Sequence, residues 1–240
     1  MAATDALLTA ALHADPARPL LTFYDDASGE RTELSATTLA GWVAKTAGLV
    51  QDELAIEPGE RVAVLLPVHW QTAAVLLGCW AAGAVVGTEP AETTFCDQSR
   101  MPAGGQVVAL SLLPLARPFP VAPAGALDYA AVVPGQPDLF SPYVPVPDDA
   151  PAAPGITGAE LVSSARESAA DQGISATDRV LTTRPWNGPA DWRDCLLAPL
   201  AAGASIVLCA NTDKSALARR IESERATMVI TPSDAPSGDR

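Results

Sequence analysis

Arg61-Val62-Ala63-Val64-Leu65-Leu66 is an almost wholly apolar run with no polar alternation. A strand of that composition needs cover on both faces, which a parallel sheet between helices provides. Residues 69–82 follow as an apolar stretch of helical length, and Gly83 suits the position just past a last helical turn. Ala84-Val85-Val86 then opens another buried strand. The segment reads as a β-α-β unit with a right-handed crossover. Residues 106–110 supply a further short strand.

The same order of elements recurs. Glu60-Arg61-Val62, a helix and Gly83-Ala84-Val85-Val86 are matched by Asp178-Arg179-Val180, a helix over 191–202 and Gly203-Ala204-Ser205-Ile206. Each copy follows a capped amphipathic helix. In the first, Ser35 is the N-cap, and Leu39, Val43, Ala47, Val50 and Leu54 share one face until Pro58-Gly59 breaks the pattern. In the second, Thr157-Gly158-Ala159-Glu160 is a capping box, Leu161, Ala165 and Ala169 share a face, and Gly173 closes the helix. Strands are expected over 20–24, 30–33, 179–183, 205–208 and 227–230, with a helix over 214–224.

The pattern predicts an α/β fold of two pseudo-repeated α/β halves with mostly parallel sheets. The first half is expected over residues 1–110 and the second over 155–232. Residues 111–154 are dense in proline and read as an irregular connection, with a short helix near 127–133. Residues 233–240 read as a polar tail.

Charge and cysteine usage exclude several functions. The net charge of −13 repels nucleic acid and anionic membranes. The most apolar stretch, 72–86, is shorter than the roughly 20 residues a bilayer span needs. The N-terminus carries Asp5, Asp15 and Pro16 without a continuous apolar core, unlike a signal peptide. Cys79, Cys96, Cys195 and Cys209 form no C-x-x-C pair and have no histidine cluster beside them. They read as reduced, buried thiols and not as a zinc site. A cytoplasmic protein with no nucleic-acid and no membrane partner is expected. No G-x-S-x-G, G-x-G-x-x-G or G-x-x-x-x-G-K-[ST] motif is present.

Three blocks carry a family resemblance. Pro58-Gly59-Glu60-Arg61-Val62 through Pro67, with Gly83-Ala84-Val85-Val86, resembles the opening of acyl-CoA synthetases and related adenylate-forming enzymes. Asp178-Arg179-Val180-Leu181 with Leu197-Ala198-Pro199-Leu200-Ala201-Ala202-Gly203-Ala204 resembles the stretch after their phosphate loop, and so does Glu222-Ser223-Glu224-Arg225-Ala226-Thr227. The chain also resembles a short actinobacterial group of such proteins that stops at about this length. The resemblance covers most of residues 20–232 and implies the N-terminal subdomains of that superfamily, with its C-terminal domain absent.

The departures bear on function. The resemblance places a Ser/Thr/Gly-rich phosphate loop ending in Lys just before Gly155, where the chain has Val146-Pro147-Asp148-Asp149-Ala150-Pro151-Ala152-Ala153-Pro154. Prolines remove N–H donors, and aspartates repel phosphate. The family's magnesium-binding Glu, ribose-binding Asp and catalytic Lys fall beyond residue 240, so no residue here inherits those roles. No catalytic residue, no metal site and no cofactor are expected, with ATP, AMP or CoA bound only where a residual pocket survives.

In open α/β sheets ligands sit beyond the carboxyl ends of strands. That rule and the resemblance select His69, Arg184, Trp186, Asn187 and Thr231 as a candidate pocket. Arg184-Pro185-Trp186-Asn187-Gly188 stands where the family has Pro-aromatic-His-x-x-Gly near its acyl pocket, with Asn187 in place of His. Each residue also has a structural reading: Trp186 as core packing, Arg184 as an ion pair, His69 as a helix-start residue. The functional expectation is a non-catalytic relative acting as an interaction scaffold, with a protein partner or a homo-oligomer. The alternatives are a small-molecule binder without transfer activity and, last, a ligase completed by another chain.

Overall fold

The computed structural model describes residues 4–232, so the tail expected over 233–240 lies outside it. The chain opens with helix α1 (Asp5–Ala14), which buries only Leu7 and Leu8. Strand β1 (Pro19–Asp25) turns back into β2 (Glu30–Ser35). Helix α2 (Ala36–Gly48) starts where the Ser35 hydroxyl accepts the Thr38 N–H at 3.1 Å. Its expected face is buried from Leu39 through Val43, Ala47 and Val50 to Leu54. The last part of that face lies on a π-helical turn, Leu49–Glu53.

The apolar run forms β3 (Arg61–Leu65), followed by α3 (Trp70–Ala81), which is buried along its whole length. Helix α3 packs on α2 at a close approach. A Cβ on Gly78 would lie 2.6 Å from the Thr46 side chain, so only glycine fits there. The strands β4 (Val85–Gly87), β5 (Thr93–Asp97), β6 (Gln106–Leu110) and β7 (Ala126–Asp128) complete a wholly parallel sheet of order β4-β3-β5-β6-β7.

The connection over 111–154 is more ordered than its prolines suggest. It contributes β7 and a short helix α4 (Tyr129–Val132), within the span where one is expected. It is also tied along α2. The Tyr129 hydroxyl meets the Thr46 hydroxyl at 2.7 Å, Lys45 Nζ donates to Gln136 O at 2.6 Å, and the Tyr143 N–H donates to Gln51 at 2.9 Å. It ends in a tight hairpin of β8 (Pro151–Ala153) and β9 (Ile156–Thr157), turning at Gly155 with φ +73°.

Helix α5 (Gly158–Gln172) follows with both hydrogen bonds of the capping box present. Strand β10 (Arg179–Thr182) leads to the helix expected over 191–202. That helix is α6 (Pro189–Trp192) and α7 (Ala198–Ala202), joined by a π-helical turn, Arg193–Leu197. Pro199 has no N–H to give the preceding turn, and the helix widens just before it. The chain continues through β11 (Ser205–Ala210), α8 (Lys214–Ser223) and β12 (Met228–Ile230).

Sheet membership does not follow the expected division into residues 1–110 and 155–232. The second sheet has the order β12-β10-β11-β1-β2. Strand β1, from the start of the chain, runs parallel to β11 with Leu21 opposite Ile206 and Phe23 opposite Leu208. Strand β2 closes the edge antiparallel to β1. Ile206, Val207 and Leu208 are fully buried and need a neighbour on both edges, which Leu20, Leu21 and Phe23 supply. The other pairings, β10 with β11 and with β12, are parallel. No described helix is long and apolar enough to cross a membrane.

Candidate functional site

A cleft of about 940 Å³ opens at the carboxyl ends of strands from both sheets. It is bounded by Asp25 at the end of β1, Pro67 to His69 after β3, Thr183 after β10, Asn211 and Thr212 after β11, and Thr231 after β12. This is the side of an α/β sheet where ligands bind, because helix starts and loose backbone converge there.

Four of the five candidate residues line this cleft: His69, Trp186, Asn187 and Thr231. Arg184 is not among them. Its guanidinium pairs with Asp191 at 2.7 Å and Asp194 at 3.3 Å, and it lines a separate polar cleft of about 400 Å³ on α5. The π-helical turn carries Asp194 toward this arginine; burial works to raise its carboxyl, but hydrogen bonds from Arg193 and Ser168 hold it below the usual range.

His69 is buried and caps α3, its Nδ1 accepting the Gln71 N–H at 3.1 Å. An accepting Nδ1 puts the proton of the neutral ring on Nε2. That atom lies 3.6 Å from the Glu30 carboxylate, and the ring stacks 4.3 Å from Phe23. One ring nitrogen thus caps the helix, while the other faces Glu30 without a hydrogen-bond partner among the described residues. Burial works to raise the Glu30 carboxyl, yet His69, Thr32 and Trp70 hold it below its usual range. Thr32 and Trp70 donate to it at 2.6 and 3.1 Å.

Trp186 is 2% exposed, and its indole N–H has no acceptor among the described residues. The Asn187 N–H donates to Asp191 at 2.8 Å, which fixes the start of α6 beside the cleft.

The sequence reading missed Phe23, Arg100, Asn211 and Lys214, which also line the cleft. Phe23 arrives because β1 joins the second sheet. Lys214 carried a signal: the chain has only two lysines, and the other, Lys45, is engaged with the connection. Asp25 is occupied, accepting from Asn211 at 2.7 Å and from the Ala27 N–H at 3.0 Å. Those bonds outweigh its burial and hold its carboxyl below the usual range.

The region where a phosphate cradle is expected is closed. The Gly158 N–H donates to Ala150 O at 2.9 Å, the Ala159 N–H to Asp148 O at 2.7 Å, and the Glu160 N–H to the Thr157 hydroxyl at 3.2 Å. The Trp80 indole donates to Ala152 O at 2.9 Å and pins the hairpin to α3. A helix start binds phosphate through free N–H groups, and here the chain's own oxygens hold them. These residues do not fit a nucleotide triphosphate. Among the described residues no group of three or more His, Cys, Asp or Glu is placed to hold a metal ion. All four cysteines are buried, and burial with the charge of Asp97 pushes the Cys96 thiol up to about 11.

The chain is 45% identical over 237 residues to the TIGR03089 family protein of Mycobacterium tuberculosis, covering 94% of this chain and 96% of that one. It belongs to the TIGR03089 family. No protein-family model matches the chain. Among solved structures, this TIGR03089 family member superposes on the Brucella canis acyl-CoA synthetase with a TM-score of 0.77 at 16% identity, over 96% of this chain and 47% of that one. The acetoacetyl-CoA synthetase from Streptomyces lividans gives 0.73 at 20% identity, over 95% and 42%. The anthranilate CoA ligase AuaEII, in complex with anthranoyl-AMP, gives 0.72 at 14% identity, over 95% and 49%. The chain thus spans about half the length of these structures and has the fold of the N-terminal part of adenylate-forming enzymes. Identities this low carry the fold and not the activity.

Proposed function

We propose that this chain is a non-catalytic relative of acyl-CoA synthetases that binds a small molecule without transferring it. The observation that carries this reading is a contrast. A cleft of about 940 Å³ remains at the carboxyl ends of both sheets, while the nearby start of α5 has its N–H groups taken by the chain itself. Adenylation needs positive charge and free donors on the phosphates; residues 146–157 carry no Lys or Arg, and the Gly158 and Ala159 N–H groups are bonded to Ala150 O and Asp148 O. A titration of melting temperature with AMP, CoA and a non-hydrolysable acyl-adenylate tests the reading. A saturable rise with one of them, and no pyrophosphate release from Mg-ATP and a carboxylate, is the expected result. Pyrophosphate release would establish a ligase instead, alone or with a second chain.

A second reading, an interaction scaffold, is favoured by a separate feature. Leu139 is 88% exposed and, with Phe140, borders an apolar groove of about 710 Å³ between α1 and α2. Tyr143 and Val144 are exposed on the same stretch of the connection. Contiguous apolar surface of this kind commonly marks an interface. Under this reading the chain is a homo-oligomer or captures a protein partner, and Leu139→Glu abolishes the association. Light scattering that finds a monomer at every concentration removes the self-association form.

A further inference from the structure

The loop that leaves the carboxyl end of β6 is strained. Among the described residues six non-glycine residues have positive φ, and three of them fall within residues 112–116: Leu112 at +53°, Leu115 at +63° and Ala116 at +50°. Residues with a Cβ avoid that region, because the Cβ crowds the following carbonyl oxygen. The cause is local. Leu113 and Arg117 each precede a proline, which keeps them extended, with ψ of 147° and 138°. The two pair as an antiparallel bridge, so the chain reverses through the residues between them. Ser111 latches the reversal: its hydroxyl donates to Arg117 O and accepts the Leu113 N–H at 3.3 Å. The Arg117 guanidinium adds a bond to Pro114 O at 3.3 Å. Both ends of the loop are anchored. Leu110 is buried in β6, and the Phe119 N–H donates to the buried Asp128 at 2.9 Å.

The same loop exposes an apolar side chain beside the cleft. Leu112 lines the cleft, and Leu115 is 82% exposed. Three residues of chain reach at most about 11 Å, so Leu115 stays close to the cleft mouth. Strain and exposure are separate costs. Strained backbone persists where its surroundings hold it, and it characteristically belongs to clamps and switches with a second arrangement. One movement here removes both costs. Leu115 and Ala116 return to negative φ as Leu115 turns onto the apolar wall formed by Phe23, Val68 and Leu217. We propose that residues 111–117 are a strap latched open by Ser111, and that it closes over the cleft by releasing its backbone strain and burying Leu115. The closed strap shields a bound molecule from water. The inference rests on the cleft-binding reading above and adds a gate to it.

The test uses the full chain without ligand. Relaxation dispersion is recorded for the Leu112 and Leu115 methyl groups and for the indole N–H of Trp186, which lines the same cleft. The Trp186 signal is identified by its loss in Trp186→Phe. In the native chain all three report one exchange on the microsecond-to-millisecond scale, with a closed share of about 1–10%. Ser111→Ala removes the latch and raises that share roughly two- to tenfold. Ala116→Gly takes up positive φ without strain, so it favours the open strap and lowers the share below detection. Flat profiles in the native chain and in Ser111→Ala overturn the strap. So does exchange at Leu115 that Leu112 and Trp186 do not share, because the loop then moves without covering the cleft. Either result leaves cleft binding standing. A melting titration with no shift overturns the binding reading alone, because the exchange is read without ligand.

Discussion

Glu224, at the end of α8, is 7% exposed in its side chain and meets Tyr24, Arg31 and Arg179 at once. Arg179 also donates to Thr22 at 3.0 Å, so one carboxylate ties β10 to β1, β2 and α8. Removing a partner from a buried charge cluster leaves the others uncompensated. Glu224→Ala is expected to cost about 3 kcal/mol, by that logic, in urea unfolding. Arg31→Ala, whose side chain is 46% exposed, costs less than about 1 kcal/mol. The same residue sets a pH dependence. Burial raises the Glu224 carboxyl, but hydrogen bonds from Tyr24, Arg179 and Arg31 outweigh it and hold it below its ordinary value. A carboxyl depressed in the folded state stabilises above its unfolded pKa, and that stability is lost as pH falls through the folded value. Native stability therefore falls as pH drops below the ordinary Glu value of 4.5, and Glu224→Gln flattens that fall. At single residues the sequence was a partial guide. It brought His69, Trp186, Asn187 and Thr231 to one place by strand-end logic, whereas Arg184 found two aspartates on the following helix. One of those partners, Asp194, sits on a π-helical turn, which no spacing rule reveals.

The residues just before the hairpin β8–β9 hold N–H groups at the start of α5, so added positive charge alone is not expected to create a phosphate site there. Asp148→Lys with Asp149→Lys adds positive charge, but the Ala150 and Asp148 carbonyls still hold the Gly158 and Ala159 N–H groups. Inorganic triphosphate is expected to leave the melting temperature of that double variant unshifted, and a saturable rise would show that the hairpin opens. The connection depends on Lys45 in a similar way, since Nζ bonds Pro134 O and Gln136 O and pairs with Asp138. Lys45→Ala is expected to speed amide exchange over residues 133–144, while exchange in β3 stays unchanged. Elements with a long apolar period were legible in sequence, α2, α3, β3 and β11 above all. Strand β5 was not, because Thr93 and Thr94 lead it and are buried as polar residues, Thr93 donating to Gln106 at 2.8 Å. Helix α1 was missed because only Leu7 and Leu8 are fully buried, with Ala11 and Leu12 packing partly exposed against the core.

The two sheets are not two consecutive pieces of chain. Residues 155–232 alone would present β11 as a bare, wholly apolar edge, since its neighbour β1 comes from the N-terminus. Such an edge aggregates or stays unfolded. A fragment of residues 155–232 is expected to show no cooperative melt by circular dichroism, and mixing it with residues 1–154 restores one. A cooperative melt of the fragment alone would mean that β1 is dispensable. The sequence by itself determined the α/β class, the parallel strands and the proline-rich, lysine-free composition of residues 146–154, because apolar runs, caps and proline act within a few residues of themselves. The tertiary structure decided which strands share a sheet and therefore what lines the cleft. Pairing β1 with β11, and so placing Phe23 in the cleft that Trp186 also lines, joins residues far apart in the chain, set by which buried edge is left open once every local element has formed.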